Sequence, residues 1–231
     1  MEKDTHTHTH THTHTHTQET CQSSTSSNSN LELIKRKIYA FEDFLFENKY
    51  SLELSGTVEN KNLIANDNES LSHATAYEAV WCRNLRELLN EAKKTNYEFE
   101  NFIDVGSGKG KACLYAYTKR TFNNIIGVEI SEPLVEIANR NKVKIKSTNI
   151  SFINANANEY ELPNRNNFVF LFNPFDSIIL EKFISNNIVH FKKNNSVIAY
   201  ANDIQRLSLT KFGFETIFRN QNRKTSLFQL T

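Results

Sequence analysis

Apolar positions recur with two different periods along the chain. Leu31, Ile34, Ile38, Phe41 and Leu45 repeat at helical spacing, and Val80, Trp81, Leu85, Leu88 and Leu89 do so again. The pattern predicts amphipathic helices over about 31–45 and over Tyr77–Lys94, the second with those five side chains inward. Between them, SLELSGTVE (51–59) reads as a short strand or loop, and 60–74 is polar. Beyond residue 100 short apolar runs alternate with helical stretches. Strands are expected at 101–105, 124–130, 149–154, 167–172, 196–201, 213–219 and 224–230, with helices at 109–120, 132–146, 176–190 and 203–210. Strand–helix alternation implies a mostly parallel sheet covered on both faces. The run Phe168-Val169-Phe170-Leu171-Phe172 has no polar alternation, which suits a central strand buried on both sides. The last two strands are joined by the short polar link NQNR, a hairpin signal, so one of them runs antiparallel to the rest. The expected fold is α/β: a seven-stranded, mostly parallel, doubly wound sheet with an N-terminal helical extension.

Residues 1–30 have no hydrophobic period and are expected to be a disordered His-Thr/Ser-rich tail, followed by a helical extension over 31–74 and the main domain over 75–231. Six histidines, His6 to His16, alternate with Thr, and in an extended chain they share one face. A repeat expansion without a role explains such a tract better than a metal site does. Without the tail about 200 residues remain, enough for one ordinary domain core. With 27 basic and 26 acidic residues the net charge is +1, which gives no argument for a nucleic-acid or membrane partner. Cys21, Cys82 and Cys113 match neither a disulfide framework nor a zinc pattern. No apolar run approaches the length of a membrane helix, and a cytoplasmic protein is expected. His73 and His190 have no ligand pattern around them, and no metal is assigned.

FIDVGSGKGKACLYA (102–116) carries an apolar strand into Gly106, Gly108 and Gly110, where a helix opens at once. Glycine permits positive φ and close approach of a ligand to the backbone, and a helix N-terminus offers free N–H groups. A P-loop is excluded, because Ala112 follows Gly110-Lys111 and residue 105 is Val. The dinucleotide fingerprint GxGxxG is also missed, since the third Gly comes one residue early. GxGxG with Asp104 two residues before it resembles motif I of class I S-adenosylmethionine-dependent methyltransferases. Lys109 and Lys111 are expected to flank this loop in solvent.

Further segments extend the resemblance over about 75–230. IIGVEIS (125–131) places Glu129 at the end of the second strand, where the family's acidic residue grips the ribose hydroxyls. NANANEY (154–160) matches the adenine-binding segment, with Asn156 in the usual place of Asp and Ala157 beside it. The resemblance thus implies S-adenosylmethionine as cofactor, held by Asp104, Gly106, Gly108, Gly110, Glu129, Asn156 and Ala157.

FLFNPFD (170–176) ends the fourth strand, at the place of motif IV. Its Asn173-Pro174-Phe175 is similar to the Asn/Asp-Pro-Pro-aromatic signature of amino-group methyltransferases, with one Pro missing. The wider pattern looks like a group of small bacterial class I methyltransferases, and distantly like nucleosomal lysine methyltransferases. It implies Asn173, Pro174 and Phe175 as the catalytic segment and a nitrogen, amine or amide, as the methyl acceptor, on a protein, an RNA or a small molecule. Pro174 is expected to push Asn173 into extended geometry. The alternative for Asn173 is a plain cap on the helix starting near Asp176 or Ser177. Tyr77 is a candidate substrate contact. Two other functions are compatible with these motifs: a cofactor-binding regulatory module without catalysis, and a nicotinamide-dependent reductase, which GxGxG disfavours.

Overall fold

The computed structural model describes residues 20–231 apart from Asn66 and Arg120, with side chains from Leu33 onward except that of Asn68. The His-Thr tract therefore lies outside the described residues. Thr20–Tyr50 form a single helix, α1, so 20–30 are helical where the pattern predicted a disordered tail. The apolar repeat begins at Leu31, but each residue added to a helix already formed gains one hydrogen bond, and Ser and Thr are only moderately poor formers.

The chain divides into two compact units, Met1–Ile38 and Tyr39–Thr231. Residues 39–74, expected as part of a separate extension, thus belong to the same unit as the sheet. In the first unit Ile34 and Ile38 are more than half exposed. In the second, Phe41 and Leu45 are exposed as well, and the buried face of α1 carries Asp43, Phe46 and Tyr50 instead. Phe46 meets Tyr115 edge-on, ring centroids 5.6 Å apart.

The sheet has seven strands: β1 (Asn101–Val105), β2 (Asn124–Glu129), β3 (Ile150–Asn154), β4 (Asn167–Phe172), β5 (Val197–Ala201), β6 (Phe214–Asn220) and β7 (Thr225–Leu230). Their order is β3-β2-β1-β4-β5-β7-β6. All neighbours are parallel except β7, which runs antiparallel to both β5 and β6, as the hairpin signal predicted. The order reverses between β1 and β4, the place where open α/β sheets leave a crevice at their carboxyl ends.

Side chains alternate between the faces and build two cores. One packs Phe102, Phe168 and Phe170 under α3 (Cys82–Ala92) and α4 (Lys111–Lys119). There Phe102 stacks on Phe168 at 5.5 Å. The other packs Ile103, Val105, Val169 and Leu171 against Phe183 and Ile184 of α6 (Ser177–Lys193). Helices α5 (Glu132–Lys144) and α7 (Arg206–Lys211) complete the layers, and a short α2 (Asn68–Ser72) precedes α3. No helix among the described residues is long and apolar enough to cross a membrane.

Two expectations fail before β1. Helix α3 starts at Cys82, and Trp81 sits at its N-cap, 38% exposed and not inward. Residues 74–80 are extended because their backbone finds partners elsewhere: Tyr77 and Val58 exchange both hydrogen bonds, and Ala74 bridges to Phe175.

Lys111 is not a solvated neighbour of the glycine loop. It is 3% exposed, and its ammonium donates to Asp43 of α1 at 2.6 Å, with Glu47 at 3.7 Å. The other Asp43 oxygen accepts the Cys82 N–H at 2.9 Å. One carboxylate thus joins the C-terminal half of α1 to the starts of α3 and α4. Truncating one member of a buried pair strands the other charge, at a cost of about 3–5 kcal/mol. Asp43→Ala is expected to lower unfolding stability by that amount. Asp43→Asn, which keeps the acceptor for Cys82, is expected to cost less. Urea titration of both variants checks the order.

Candidate functional site

A cavity of about 280 Å³ opens at the carboxyl ends of β1, β2, β3 and β4, near the lower end of the range for small-molecule sites. The structure brings together there Asp104, Gly106, Gly108, Glu129, Asn156, Ala157, Asn173, Pro174, Phe175 and Tyr77. Of the residues expected at the site, Gly110 is the exception. A Cβ on Gly110 would lie 2.5 Å from the Phe152 ring, so this glycine serves the packing of α4 on the sheet.

The turn after β1 is fastened to β2, since the N–H groups of Gly106 and Ser107 both donate to Val128 O, at 2.8 and 3.0 Å. Gly106 and Gly108 have φ of 79° and 52°, in the left-handed region. Close approach also requires glycine at both: a Cβ on Gly106 would sit 2.2 Å from Pro174, and one on Gly108 would sit 2.3 Å from the Tyr77 ring. Tyr77 is held over the turn by its hydroxyl, which donates to Leu54 O at 2.8 Å.

Two carboxyl groups lie beneath this turn. Glu129 is buried, and its oxygens accept the N–H groups of Gly108 at 2.8 Å and Ser131 at 2.9 Å. Burial raises its pKa, and those backbone donors, with Ile130, hold the rise back. Each carboxylate oxygen has two acceptor directions, so the group keeps capacity for a further donor. Asp104 is 2% exposed, and among the described residues its one hydrogen-bond donor is the Cys113 thiol at 3.7 Å. Burial pushes Asp104 up to about 8, the thiol acts against this, and the Glu129 charge adds to it. Ser107 Oγ, on the cavity wall, is buried without a partner.

At the end of β3, Asn156 Oδ1 accepts the Asn158 N–H at 3.3 Å, while Nδ2 donates to Asp67 Oδ2 and to Ser70 Oγ, both at 2.6 Å. At the end of β4, Asn173 has φ 43°, not the extended geometry expected before a proline. Pro174 disfavours right-handed geometry at Asn173, but Asn tolerates the left-handed region, and here neighbours hold it there. Thr75 donates through Oγ1 to Asn173 O at 2.7 Å and through N–H to Pro174 O at 3.0 Å. The Asn173 carboxamide oxygen accepts from the Tyr200 hydroxyl at 3.3 Å. The cap of α6 is Asp176, whose carboxylate accepts the N–H groups of Ile178 and Ile179 and also faces His73 Nδ1 at 2.7 Å. Helix capping therefore does not account for Asn173.

Sequence reasoning missed Asp67, Ser70 and Thr75. The Asp67 cap ahead of α2 was the one local signal, because 60–74 shows no hydrophobic period.

These residues fit S-adenosylmethionine. Glu129 offers acceptors for a diol, Ser107 has an unsatisfied hydroxyl, and the glycine turn leaves no Cβ between ligand and backbone. The family model of the methyltransferase domain matches residues 98–225, more than half of the sequence. The chain belongs to that family, within the class I S-adenosylmethionine-dependent methyltransferases. Two curated relatives, the tRNA (guanine-N(7)-)-methyltransferases of Prochlorococcus marinus strains NATL1A and NATL2A, are each 35% identical over 66 residues, 29% of this chain and 30% of the relative. The matched region thus spans less than a third of those relatives. Among solved structures, the ribosomal protein L11 methylase of Lactobacillus delbrueckii subsp. bulgaricus is 12% identical over 63% of this chain and 77% of that one, with a TM-score of 0.47. TrmK of M. capricolum, in complex with S-adenosylhomocysteine, is 18% identical over 63% and 67%, with a TM-score of 0.44.

The Asp104 shift makes stability depend on pH. Its folded value of about 8 lies above the ordinary carboxylate value of about 3.9, so between the two the native state keeps a proton that the unfolded chain has released. The contribution is complete below about pH 4 and is lost as pH rises through about 8. Urea unfolding of the ligand-free protein at pH 5 and pH 8 is expected to show a larger loss for the parent than for Asp104→Asn, which has no proton to release.

Proposed function

We propose that this enzyme transfers the methyl group of S-adenosylmethionine to a nitrogen acceptor. In this reading Asp104, Gly106, Gly108, Glu129, Asn156 and Ala157 hold the cofactor, and Asn173, beside Pro174 and Phe175, orients the acceptor. Tyr77 closes the glycine turn. The observation that carries the reading is that Asn173 lines the same cavity as Glu129 and the glycine turn while Asp176 performs the capping. The cofactor supplies a methyl group already activated on a sulfonium, so the protein has chiefly to aim the acceptor's lone pair. A carboxamide suits this, because it accepts a hydrogen bond from the nitrogen without placing a charge beside it. The curated relatives, named for transfer to a guanine nitrogen of tRNA, agree with a nitrogen acceptor.

One observation favours a second reading, a cofactor-binding module without transfer. Thr75 already takes one acceptor direction of each backbone carbonyl at the end of β4, and the Tyr200 hydroxyl takes one of the carboxamide oxygen of Asn173. Radiolabelled S-adenosylmethionine incubated with cell lysate separates the two, since transfer of label requires the first.

Glu129→Ala is expected to weaken S-adenosylhomocysteine binding by about 1.5–3 kcal/mol, the range for hydrogen bonds to a charged group. Calorimetry measures it, and unchanged affinity would remove Glu129 from the site.

Asn173→Ala is expected to leave that affinity within a few fold and to lower label transfer roughly 10²-fold, the effect of misplacing a reacting atom by about 1 Å. Full transfer by the variant would reject the orienting role.

A further inference from the structure

The stretch 52–80 touches three of the loops that line the cavity. The Tyr77 ring covers Gly108, Thr75 covers the carbonyls of Asn173 and Pro174, and Asp67 with Ser70 covers Asn156. The third contact differs from the others, because there the side chain that lines the cavity also makes the link. Among the described residues the Asn156 side chain makes no hydrogen bonds beyond these and the one from Asn158, so both its amide hydrogens are committed within the protein and its oxygen keeps one acceptor direction. The orientation is fixed as well: exchanging its oxygen and nitrogen would set an acceptor against the Asp67 carboxylate.

Asp67 is shared in the same way. One oxygen accepts the Ser70 N–H at 3.1 Å and caps α2, and the other receives Asn156. The Ser70 hydroxyl and backbone N–H lead the causes that hold the Asp67 carboxyl below its ordinary value, and Asn156 contributes in the same direction. Helix α2 has five residues, far too few to persist on its own, so its place depends on what it is tied to. Ser70 and Leu63, on either side of Asp67, are buried and line the cavity.

We propose that Asn156 is a positioning residue: through Asp67 and Ser70 it latches the 63–72 segment over the β3 end of the cofactor cavity, and this latch sets how long the cofactor stays bound. The proposal rests on the cavity being the cofactor site and changes what Asn156 does there. A carboxamide is required at position 156 because its partner is a carboxylate. Aspartate in its place would set two carboxylates at hydrogen-bond distance, and like charges so close separate or share a proton.

The test is an exchange of the two groups. Asn156→Asp is expected to raise the dissociation rate of S-adenosylhomocysteine at least tenfold and to speed amide hydrogen exchange over 63–72. Asp67→Asn is expected to change both by less than about threefold, since its one carboxamide oxygen keeps either the Ser70 cap or the Asn156 bond and brings no like charge. The double variant Asp67→Asn/Asn156→Asp restores carboxamide against carboxylate with donor and acceptor reversed, and it is expected to return both readouts to near the parent's. A double variant no better than Asn156→Asp would overturn the latch. So would an Asn156→Asp protein that loses affinity while 63–72 exchanges as in the parent, because Asn156 would then be touching the ligand itself. Glu129→Ala, measured alongside, separates this from the site assignment. If it leaves affinity unchanged, the cavity is not the cofactor site. If it weakens binding while the Asn156 and Asp67 variants all match the parent, the latch alone fails.

Discussion

The absence of a side chain at Gly106 and Gly108 is the constraint on which the rest of the site depends. Both residues take left-handed φ, which costs an L-residue about 1–2 kcal/mol and glycine nothing. Conformation alone would tolerate an occasional Asn. Contact does not, because the space a Cβ would enter is filled by Pro174 at one position and by the Tyr77 ring at the other. The turn after β1 is therefore clamped between the end of β4 and the stretch before α3. The same closeness lets Gly108 donate its N–H to Glu129, so turn, acid and strand end form one hydrogen-bonded unit.

Charge is distributed around that unit in two different ways. Asp104 and Glu129 are buried beneath the turn, and burial raises the pKa of both, held back at Glu129 by backbone donors and at Asp104 by the Cys113 thiol. Such acids are poised to respond to a ligand that brings hydroxyl or cationic groups. Lys111 lies a few residues further along but points the other way, into a buried pair with Asp43. Its ammonium is spent on holding α1, α3 and α4 together. A lysine beside a glycine loop invites a phosphate-binding role, and here Lys111 is structural.

How much of this was legible in sequence follows from where periodicity exists. The sheet was readable to within a residue or two at most strand ends, because Phe168–Phe172 and its neighbours are short apolar runs separated by helical stretches. The glycine turn was readable because a glycine cluster directly follows an apolar run, and Glu129 because it closes another such run; both lie at strand ends in the structure. The region before β1 was not. Residues 52–80 are held by backbone pairs such as Val58 with Tyr77 and by single side-chain links such as Asp67 with Asn156, which leave no period. The Ile34–Leu45 stripe had a clear helical period and gave the helix, but amphipathicity states only that one face is apolar and not that something covers it. Lys111 was misread for a related reason, since its partner lies 68 positions earlier in the chain.

The polar links of 52–80 bear on how the cavity can be used. An apolar cover would be held mainly by buried area, with little dependence on the identity of any one atom. This one adds directed bonds to the burial of Leu52, Leu54 and Val80: a threonine on two carbonyls and a carboxylate on a carboxamide. Such bonds add only about 0.5–1.5 kcal/mol each when water can replace the partner, and more when it cannot. Each of these contacts lies over a different part of the cavity. The Thr75 contact lies at the β4 end, beside Asn173, while the Asp67 contact lies at the β3 end. That separation agrees with the proposed reading, in which the cofactor and the acceptor occupy different ends of one cavity.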